Sequence, residues 1–389
     1  MRSLPGLALV VAAALAASTA AAENSASSQG ACAAQAGGGV PPARLALLAR
    51  GFNLPGWLEG PTVRRPDLKV LARLHARGFT HIRLPVDGER LMEAFSTRGE
   101  IAQQLTELDR AVDALTGLGF AVSIDMHPGS KFGRLHRAEP ERALELLEAL
   151  WRTLARRHAG RTPERVFFEA LNEPSVDAAT WTAHGPRLVA AIRSEAPAHT
   201  IIFGHANDQR IDALPEVTPL TDTNVVYAAH FYDPMIFTHQ GLDWSDSPLR
   251  YLRKVPFPAR LSDPPVARLL AELANQGRSE AAAEVNTALR EPWTEARVEE
   301  EISRAATWAE HHRHPVIINE FGVLGWKADP SDRARWLKAV RRAAERHCIG
   351  WAHWDYADGF GFVSRLADRE IPDETIVRAL LDPRPPRAR

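Results

Sequence analysis

The sequence predicts a closed barrel of eight parallel strands that alternate with helices. Eight short apolar runs alternate with amphipathic helical patterns along the chain, and polar residues follow the runs where strands would end. Near-continuous apolar runs are typical of parallel strands that are buried on both faces. An open doubly wound sheet is the alternative fold. It would carry a glycine-rich phosphate loop after its first strand, and the segment Phe52-Asn53-Leu54-Pro55-Gly56 is not one.

The predicted elements follow one another in a regular order. The strands are placed at Gly51–Leu54, Thr80–Leu84, Ala121–Met126, Val166–Leu171, Thr200–Gly204, Asn224–His230, Val316–Asn319 and Gly350–Trp354. Apolar residues at helical spacing predict helices at Asp67–Arg77, Ile101–Leu118, Glu139–His158, Pro186–Glu195, Thr294–His312, Ser331–His347 and Asp373–Leu381. The stretch from Phe231 to Glu291 is too long for an ordinary connection. We interpret it as an insertion after strand six that walls a substrate cleft, with a disordered excursion as the alternative.

The N-terminal region predicts export. Arg2 precedes an apolar run from Leu7 to Ala17, and Ala20 to Ala22 offer a small-residue cleavage site, so residues 1–22 are interpreted as a signal peptide of a secreted or periplasmic protein. Residues 23–42 are expected to form a flexible leader, and residues 43–389 a single catalytic domain. The sequence has no second long apolar run, so we expect no membrane span.

Composition excludes little beyond a nucleic-acid partner. The 389 residues are 45% hydrophobic with a net charge of −1, which allows a sizeable core and shows no basic excess for nucleic acid. The two cysteines, Cys32 and Cys348, would meet an oxidising compartment after export. Their spacing leaves open a disulfide or two unpaired thiols.

Polar residues collect where the predicted strands end. Because the carboxyl ends of barrel strands meet on one face, the following residues should lie together: Asn53, Arg83, His127, Asn172, Glu173, His230, Tyr232, Glu320 and Trp354. Glu173 and Glu320 each follow a buried apolar run. Two such carboxylates suit glycoside cleavage, since one protonates the leaving oxygen and the other meets the positive charge that develops on the sugar.

The same residues carry a family resemblance. From Gly51 to about Tyr356 the chain resembles glycoside hydrolase family 5, the cellulase-type retaining glycosidases with a (β/α)8 barrel. The matching positions, each at its expected strand end, are Arg83, His127, Asn172-Glu173, His230-Phe231-Tyr232, Glu320 and Trp354. The resemblance implies that Glu173 is the general acid and base, kept protonated by its surroundings, and that Glu320 is the nucleophile. Arg83 and Tyr232 would favour its ionised form.

The resemblance also implies roles for the substrate-binding residues, among which Arg83 and Tyr232 are also expected. Asn172 would hydrogen-bond the 2-hydroxyl of the sugar at the cleavage point, and Trp354 would stack under that sugar. His127 and His230 would hold sugar hydroxyls or orient the acid. In the family the peptide after this tryptophan is often cis, which implies a cis bond between Trp354 and Asp355.

Further candidates rest on the residues alone. Trp57, Trp244 and Trp326 lie on loops of the predicted catalytic face and could stack on pyranose rings, with loop packing as the alternative. Asn53 could bind a sugar hydroxyl. No His-x-His follows a strand, so we expect no metal and no cofactor.

These observations together predict a secreted, retaining endo-β-glycosidase. The expected substrate is a β-1,4-glucan, cellulose-like or a bacterial exopolysaccharide. An endo-β-mannanase or a β-1,3/1,6-glucanase on the same residues is the nearest alternative, and a non-catalytic polysaccharide-binding barrel is the alternative from another class. We expect a monomer whose partner is the polysaccharide, with no nucleic acid and no membrane span.

Overall fold

The predicted closed barrel is confirmed. The computed structural model describes residues 38–60, 63–366 and 369–381. Eight parallel strands follow in chain order, and β1 pairs with both β2 and β8 to close the sheet. The strands are β1 Arg50–Asn53, β2 His81–Asp87, β3 Ala121–His127, β4 Val166–Glu169, β5 Ile201–Gly204, β6 Val225–Phe231, β7 Val316–Phe321 and β8 Gly350–His353.

Helices surround the barrel, mostly at their predicted places. Their bounds are Pro42–Leu47, Leu68–Arg77, Arg98–Gly117, Ser130–Ala138, Pro140–His158, Ala178–Arg193, Met235–Thr238, Pro264–Asn275, Ser279–Ala288, Glu295–His312, Pro330–Arg346 and Glu374–Leu380. The helix predicted to start at Pro186 begins at Ala178 instead, so its predicted start was wrong. Asp177 caps that earlier start by accepting from Thr180 N, and buried Trp181 donates to the Gly204 carbonyl at 2.8 Å. Packing against β5 therefore outweighs the helix-breaking tendency of a proline.

The insertion after β6 is ordered. It contains the short helix Met235–Thr238, a 3₁₀ turn at Pro248–Tyr251 and the two helices Pro264–Asn275 and Ser279–Ala288. The sequence also missed an antiparallel hairpin after β8, formed by β9 Val363–Leu366 and β10 Arg369–Pro372. No helix of the described residues is long and apolar enough to cross a membrane.

The N-terminal segment closes the bottom of the barrel. Val40 and Leu48 are buried against an apolar layer inside the barrel, formed by Ala121, Phe167, Ile202, Val226, Ala228 and Ile317. Arg44 ties the segment to the wall by donating to the Ala198 carbonyl at 2.7 Å and to Thr200 Oγ1 at 3.0 Å. Residues 38–42, predicted as part of the flexible leader, are therefore packed as part of the domain.

The structure does not test the remaining predictions for the N-terminal region. The predicted signal peptide and most of the predicted leader lie outside the described residues, and so does Cys32. The sequence left open whether the cysteines form a disulfide, and Cys348 is disulfide-bonded.

Replacing Gly39 by alanine should destabilise the barrel. A Cβ at this position would approach Thr223 Oγ1 closely and lie 2.6 Å from Thr223 Cβ, so the segment or its neighbour must shift. Overpacking of this kind costs about 1–3 kcal/mol, which we expect as a lower midpoint in chemical denaturation.

Gly160→Ala is the matched control, since nothing lies within 4 Å of the added methyl group. Equal midpoints for the two variants would mean that residues 38–42 do not pack on the barrel in solution.

Candidate active site

The upper half of the barrel interior is built around one buried arginine. Arg83 is fully buried, and its Nε and Nη2 donate to the two oxygens of Glu169 at 2.9 and 2.7 Å. Asp125 Oδ2 lies 3.0 Å from the same Nη2. Burial raises the pKa of Glu169 to about 7, against the lowering effect of Arg83. Sequence reasoning missed both carboxylates, although each is a charged residue within an otherwise apolar strand and needs a partner there.

The same guanidinium also reaches toward the barrel mouth. Its Nη1 donates to Glu320 Oε1 at 2.6 Å and to Asn53 Oδ1 at 2.9 Å, and its Nη2 donates to Asn172 Oδ1 at 2.8 Å. Arg83 therefore joins residues from β1, β3, β4 and β7 and from the loop after β4 into one network. The expectation that Arg83 binds substrate was wrong, because its side chain is too deeply buried to touch one, and it acts through Glu320 and Asn172 instead.

Glu320 is held as a carboxylate by its neighbours. Each oxygen accepts one hydrogen bond, Oε1 from Arg83 and Oε2 from the Tyr232 hydroxyl at 2.9 Å. Burial alone would raise the pKa of Glu320, but the positive charges of His230 and Arg83 lower it below its ordinary value. The pKa of Tyr232 is raised, by burial first and then by the Glu320 charge, so its hydroxyl keeps the proton that it donates.

Glu173 faces Glu320 across His230. His230 Nδ1 donates to Glu173 Oε1 at 2.9 Å and lies 3.7 Å from Glu320 Oε2. An oxygen of each glutamate and a ring nitrogen of His230 all lie within 4.8 Å of one another. Glu173 has 38% of its side chain exposed, against 7% for Glu320. Such a separation suits direct attack by one carboxylate, because an intervening water would need a wider gap.

The backbone around this pair is constrained. Glu173 has a positive φ of 41°, and its N–H donates to Gln209 Oε1 at 3.2 Å. The Gln209 carbonyl accepts from His230 N at 2.7 Å, next to a bulge in the pairing of β6 with β7. Gln209 thus positions both residues from the loop after β5. It was missed because glutamine in a loop carries no signal of its own.

His127 lies on the other side of Asn172. Its Nδ1 donates to Asp125 Oδ2 at 2.7 Å, and its Nε2 lies 3.3 Å from the Asn172 side-chain amide. Burial opposes a charge on this ring, but the Asp125 carboxylate raises the pKa of His127 to about 9. The ring also stacks on Trp354 at 5.8 Å between centroids.

An open cleft of about 450 Å³ lies above these residues. Trp354 lines its floor, and the predicted cis bond between Trp354 and Asp355 is present. Trp244, from the insertion, and Trp326, from the loop after β7, form its rim with 56% and 45% of their surface exposed. Their rings meet edge to face at 5.9 Å. The insertion therefore walls the cleft as predicted.

Two further predicted contacts with substrate are corrected by the structure. Trp57 is buried in the core, where its Nε1 donates to Glu107 Oε1 at 2.8 Å, so its ring is not available to a sugar. Asn53 is buried beneath the cleft, where its amide donates to the Asn319 carbonyl at 2.9 Å and its oxygen accepts from Arg83. Loop packing, the alternative stated for Trp57, is what the structure has.

One group of residues has the donor atoms for a metal ion. Glu173, His230 and Glu320 each offer a ligand atom within the 4.8 Å cluster. Both Glu320 oxygens, however, already accept hydrogen bonds, and the Arg83 guanidinium supplies a positive charge 2.6 Å away. That fixed charge disfavours a second cation at the same carboxylate.

Comparison with known proteins agrees with this arrangement. The family model "Cellulase (glycosyl hydrolase family 5)" matches residues 48–357. Endoglucanase 3 of Fibrobacter succinogenes is 31% identical over 345 residues, which are 81% of this chain and 50% of that protein. The chain thus spans half the length of this relative. Endoglucanase C of Acetivibrio thermocellus is 27% identical over 331 residues, which are 79% of this chain and 90% of the relative.

Solved structures share the same barrel. Endoglucanase Cel5A from Thermotoga maritima is 25% identical and superimposes with a TM-score of 0.69, over 87% of this chain and 98% of that one. A mutant form of Cel5A in complex with cellobiose has a TM-score of 0.70 at 26% identity, over 88% and 100% of the two chains. With a family model across most of its length and an Arg83-centred network beneath two facing glutamates, the chain belongs to glycosyl hydrolase family 5, the cellulase family.

Proposed function

We propose that this protein is a retaining endo-β-1,4-glucanase that acts outside the cytoplasm as a monomer. The observation that carries the proposal is the pair of glutamates whose oxygens lie within 4.8 Å, at the floor of an open cleft with tryptophan faces on its rim. The endo mode and the β-1,4-glucan rest on the relatives, which are named endoglucanases. The signal-like residues 1–22 support export.

The first step forms a covalent intermediate. Glu320 attacks the anomeric carbon of the sugar over Trp354, while Glu173 transfers its proton to the glycosidic oxygen and the carbon–oxygen bond to the leaving chain breaks. Glu320 suits this role because Arg83 and Tyr232 keep it ionised and leave its carboxylate at the cleft floor. Glu173 suits the acid role because it is more exposed and so can reach the leaving oxygen.

The second step releases the sugar. Glu173, now a carboxylate, takes a proton from water, and the water oxygen attacks the anomeric carbon as the bond to Glu320 breaks. Two inversions at one carbon give retention. His230, between the two glutamates, can hold the Glu173 carboxylate in place, and Asn172 can donate its amide to the 2-hydroxyl of the bound sugar.

Product analysis on a panel of polysaccharides tests the proposed substrate. The panel holds β-1,4-glucan, mixed-linkage glucan, β-1,3-glucan, β-1,6-glucan, glucomannan, galactomannan and xylan, each with wild type and Glu320→Gln. We expect oligosaccharides of several lengths from β-1,4-glucan and a loss of at least about 10³-fold in the variant. Cleavage of the mannans alone would mean that the substrate is a β-mannan and not a β-1,4-glucan. Binding without cleavage would favour the polysaccharide-binding barrel.

Replacing Arg83 by lysine should abolish most activity. An ammonium group cannot reproduce the fork that joins Glu320, Asn172 and Glu169, so Glu320 loses both charge support and orientation. We expect kcat to fall by about 10²-fold or more, as when a preorganised donor is removed.

Arg65→Lys is the matched control, because Arg65 also holds a carboxylate with two donors, at Glu107, but is itself exposed and does not line the cleft. Circular dichroism verifies that both variants are folded. Wild-type kcat in folded Arg83→Lys would contradict the role of the network.

Removing the Tyr232 hydroxyl should move the acidic limb of the pH profile. This hydrogen bond favours ionised Glu320, so its loss raises the pKa of that carboxyl toward its ordinary value. Activity would then be lost sooner as the pH falls, so the acidic limb of kcat/KM should move to higher pH in Tyr232→Phe.

Tyr251→Phe serves as the control, since its ring lies under Arg278 at 4.0 Å and does not line the cleft. An acidic limb that stays in place in Tyr232→Phe would mean that another group sets it.

A further inference from the structure

The catalytic cleft continues past Trp326 into a second, larger groove. Trp326 lines both the cleft of about 450 Å³ and a cavity of about 1060 Å³ beside it. Four cations line this cavity, and we name it the basic groove after them: Arg253, Lys254, Arg268 and Lys327. A glucan chain that leaves the cleft over the Trp326 ring would enter the basic groove.

The cations of the basic groove are available to a ligand. All four are exposed, and none is paired with a carboxylate in the part of the chain that the structure describes. Most arginines elsewhere on this surface do pair, as Arg297 does with Glu301 at 2.9 Å. Unpaired cations gathered on one wall make a local positive potential, although the whole chain carries a net charge of −1.

The carboxylates of the basic groove offset only part of this charge. Asp329 accepts from Ser331 N at 2.8 Å and from Ser331 Oγ at 2.6 Å as the cap of a helix. Asp332 accepts from Phe257 N and pairs with Arg335 at 2.7 Å. Four cations thus line the groove with three carboxylates, of which Asp332 is already paired with an arginine outside the lining.

Local packing places Lys327 beside Trp326 and Lys254. Its carbonyl accepts from Lys254 N at 3.2 Å, which links the loop after β7 to the insertion. The methylenes of Lys327 lie directly over Gly241, whose φ of 77° and missing side chain leave room for them. The Lys327 side chain is therefore packed along its methylene groups, next to the tryptophans of the cleft rim.

We propose that the basic groove binds carboxylate groups carried by the polysaccharide, so that the preferred substrate is an acidic β-glucan. This proposal rests on the proposed function, because the neutral backbone of the same chain occupies the catalytic cleft. Exposed ammonium and guanidinium groups attract carboxylates without requiring a single sugar geometry. The net charge of −1 gives the whole chain no attraction for a polyanion, so a local cluster of cations is needed for such a preference.

Turnover of two matched polymers tests the proposal. Carboxymethylcellulose and hydroxyethylcellulose share the β-1,4-glucan backbone, but the first carries carboxylates and the second is neutral. In low salt, Arg268→Gln/Lys327→Gln should lower kcat/KM on the anionic polymer by roughly three- to tenfold, chiefly through KM, as two exposed charge pairs allow. The neutral polymer should be cleaved as before, and the loss should shrink at high salt.

Lys69→Gln/Arg73→Gln is the matched control. It removes the same charge from exposed positions on the helix Leu68–Arg77, which lines neither cavity. An equal loss in this control would assign the effect to net charge and overturn the proposal. So would an unchanged ratio between the two polymers in the groove variant.

A binding measurement separates the groove from catalysis. Affinity electrophoresis of Glu320→Gln, with and without the groove substitutions, measures retardation by each polymer in the absence of turnover. Stronger retardation by carboxymethylcellulose that the groove substitutions reduce supports the basic groove, even if wild type cleaves neither polymer and the proposed function fails. Equal retardation with and without the groove substitutions overturns it.

Discussion

The site depends on one guanidinium buried among three carboxylates. Arg83 lies within hydrogen-bonding distance of Glu169, Asp125 and Glu320, all of them buried. Burying a carboxylate costs several kcal/mol unless a charge or donor compensates it. Arg83 supplies that compensation for strands β3, β4 and β7 at once. Its planar group of donors also fixes the direction of each partner. Pairing the buried charges therefore also sets the positions of the side chains at the cleft floor.

The same chemical group has two environments within a few ångströms. Glu320 is almost fully buried, accepts two hydrogen bonds and has a lowered pKa. Glu173 is more than a third exposed and takes its orientation from His230 and from the Gln209 contact with its backbone. Retaining cleavage needs an ionised carboxylate and a proton donor at this distance. The barrel produces the difference in burial between the two side chains by placing one glutamate at the end of β7 and the other in the loop that follows β4.

Much of this could be predicted from the sequence because the barrel places strand ends on one face. His127, Glu173, Tyr232 and Glu320 lie at or just beyond the ends of apolar runs, and that position alone predicts their convergence. Arg83 was also placed at a strand end, but it lies inside β2. Depth within the barrel was not predictable in the same way. Trp57 follows a strand too, but it turns into the core to meet Glu107, a contact set by a helix distant in sequence.

Glu169 and Asp125 are site residues that the sequence analysis did not identify. Both lie inside runs that were identified correctly as strands, and their charge was passed over because the neighbouring residues are apolar. A buried charge in a strand predicts a partner of opposite charge, but it does not say which one. The cluster of unpaired cations beside Trp326 could not be predicted either. Its four exposed basic residues come from the insertion and from the loop after β7, and only the fold brings them onto one surface.

The measurement that tests the central claim most directly is capture of the glycosyl-enzyme. Wild type would be incubated with a 2-deoxy-2-fluoro cellobioside that carries a good leaving group, and its intact mass and peptides determined by mass spectrometry. We expect one added fluorocellobiosyl unit, located on Glu320 and absent in Glu320→Gln. A label on another residue would contradict the assignment of the nucleophile. An unlabelled enzyme whose first-formed product has the inverted anomeric configuration by NMR would contradict double displacement itself.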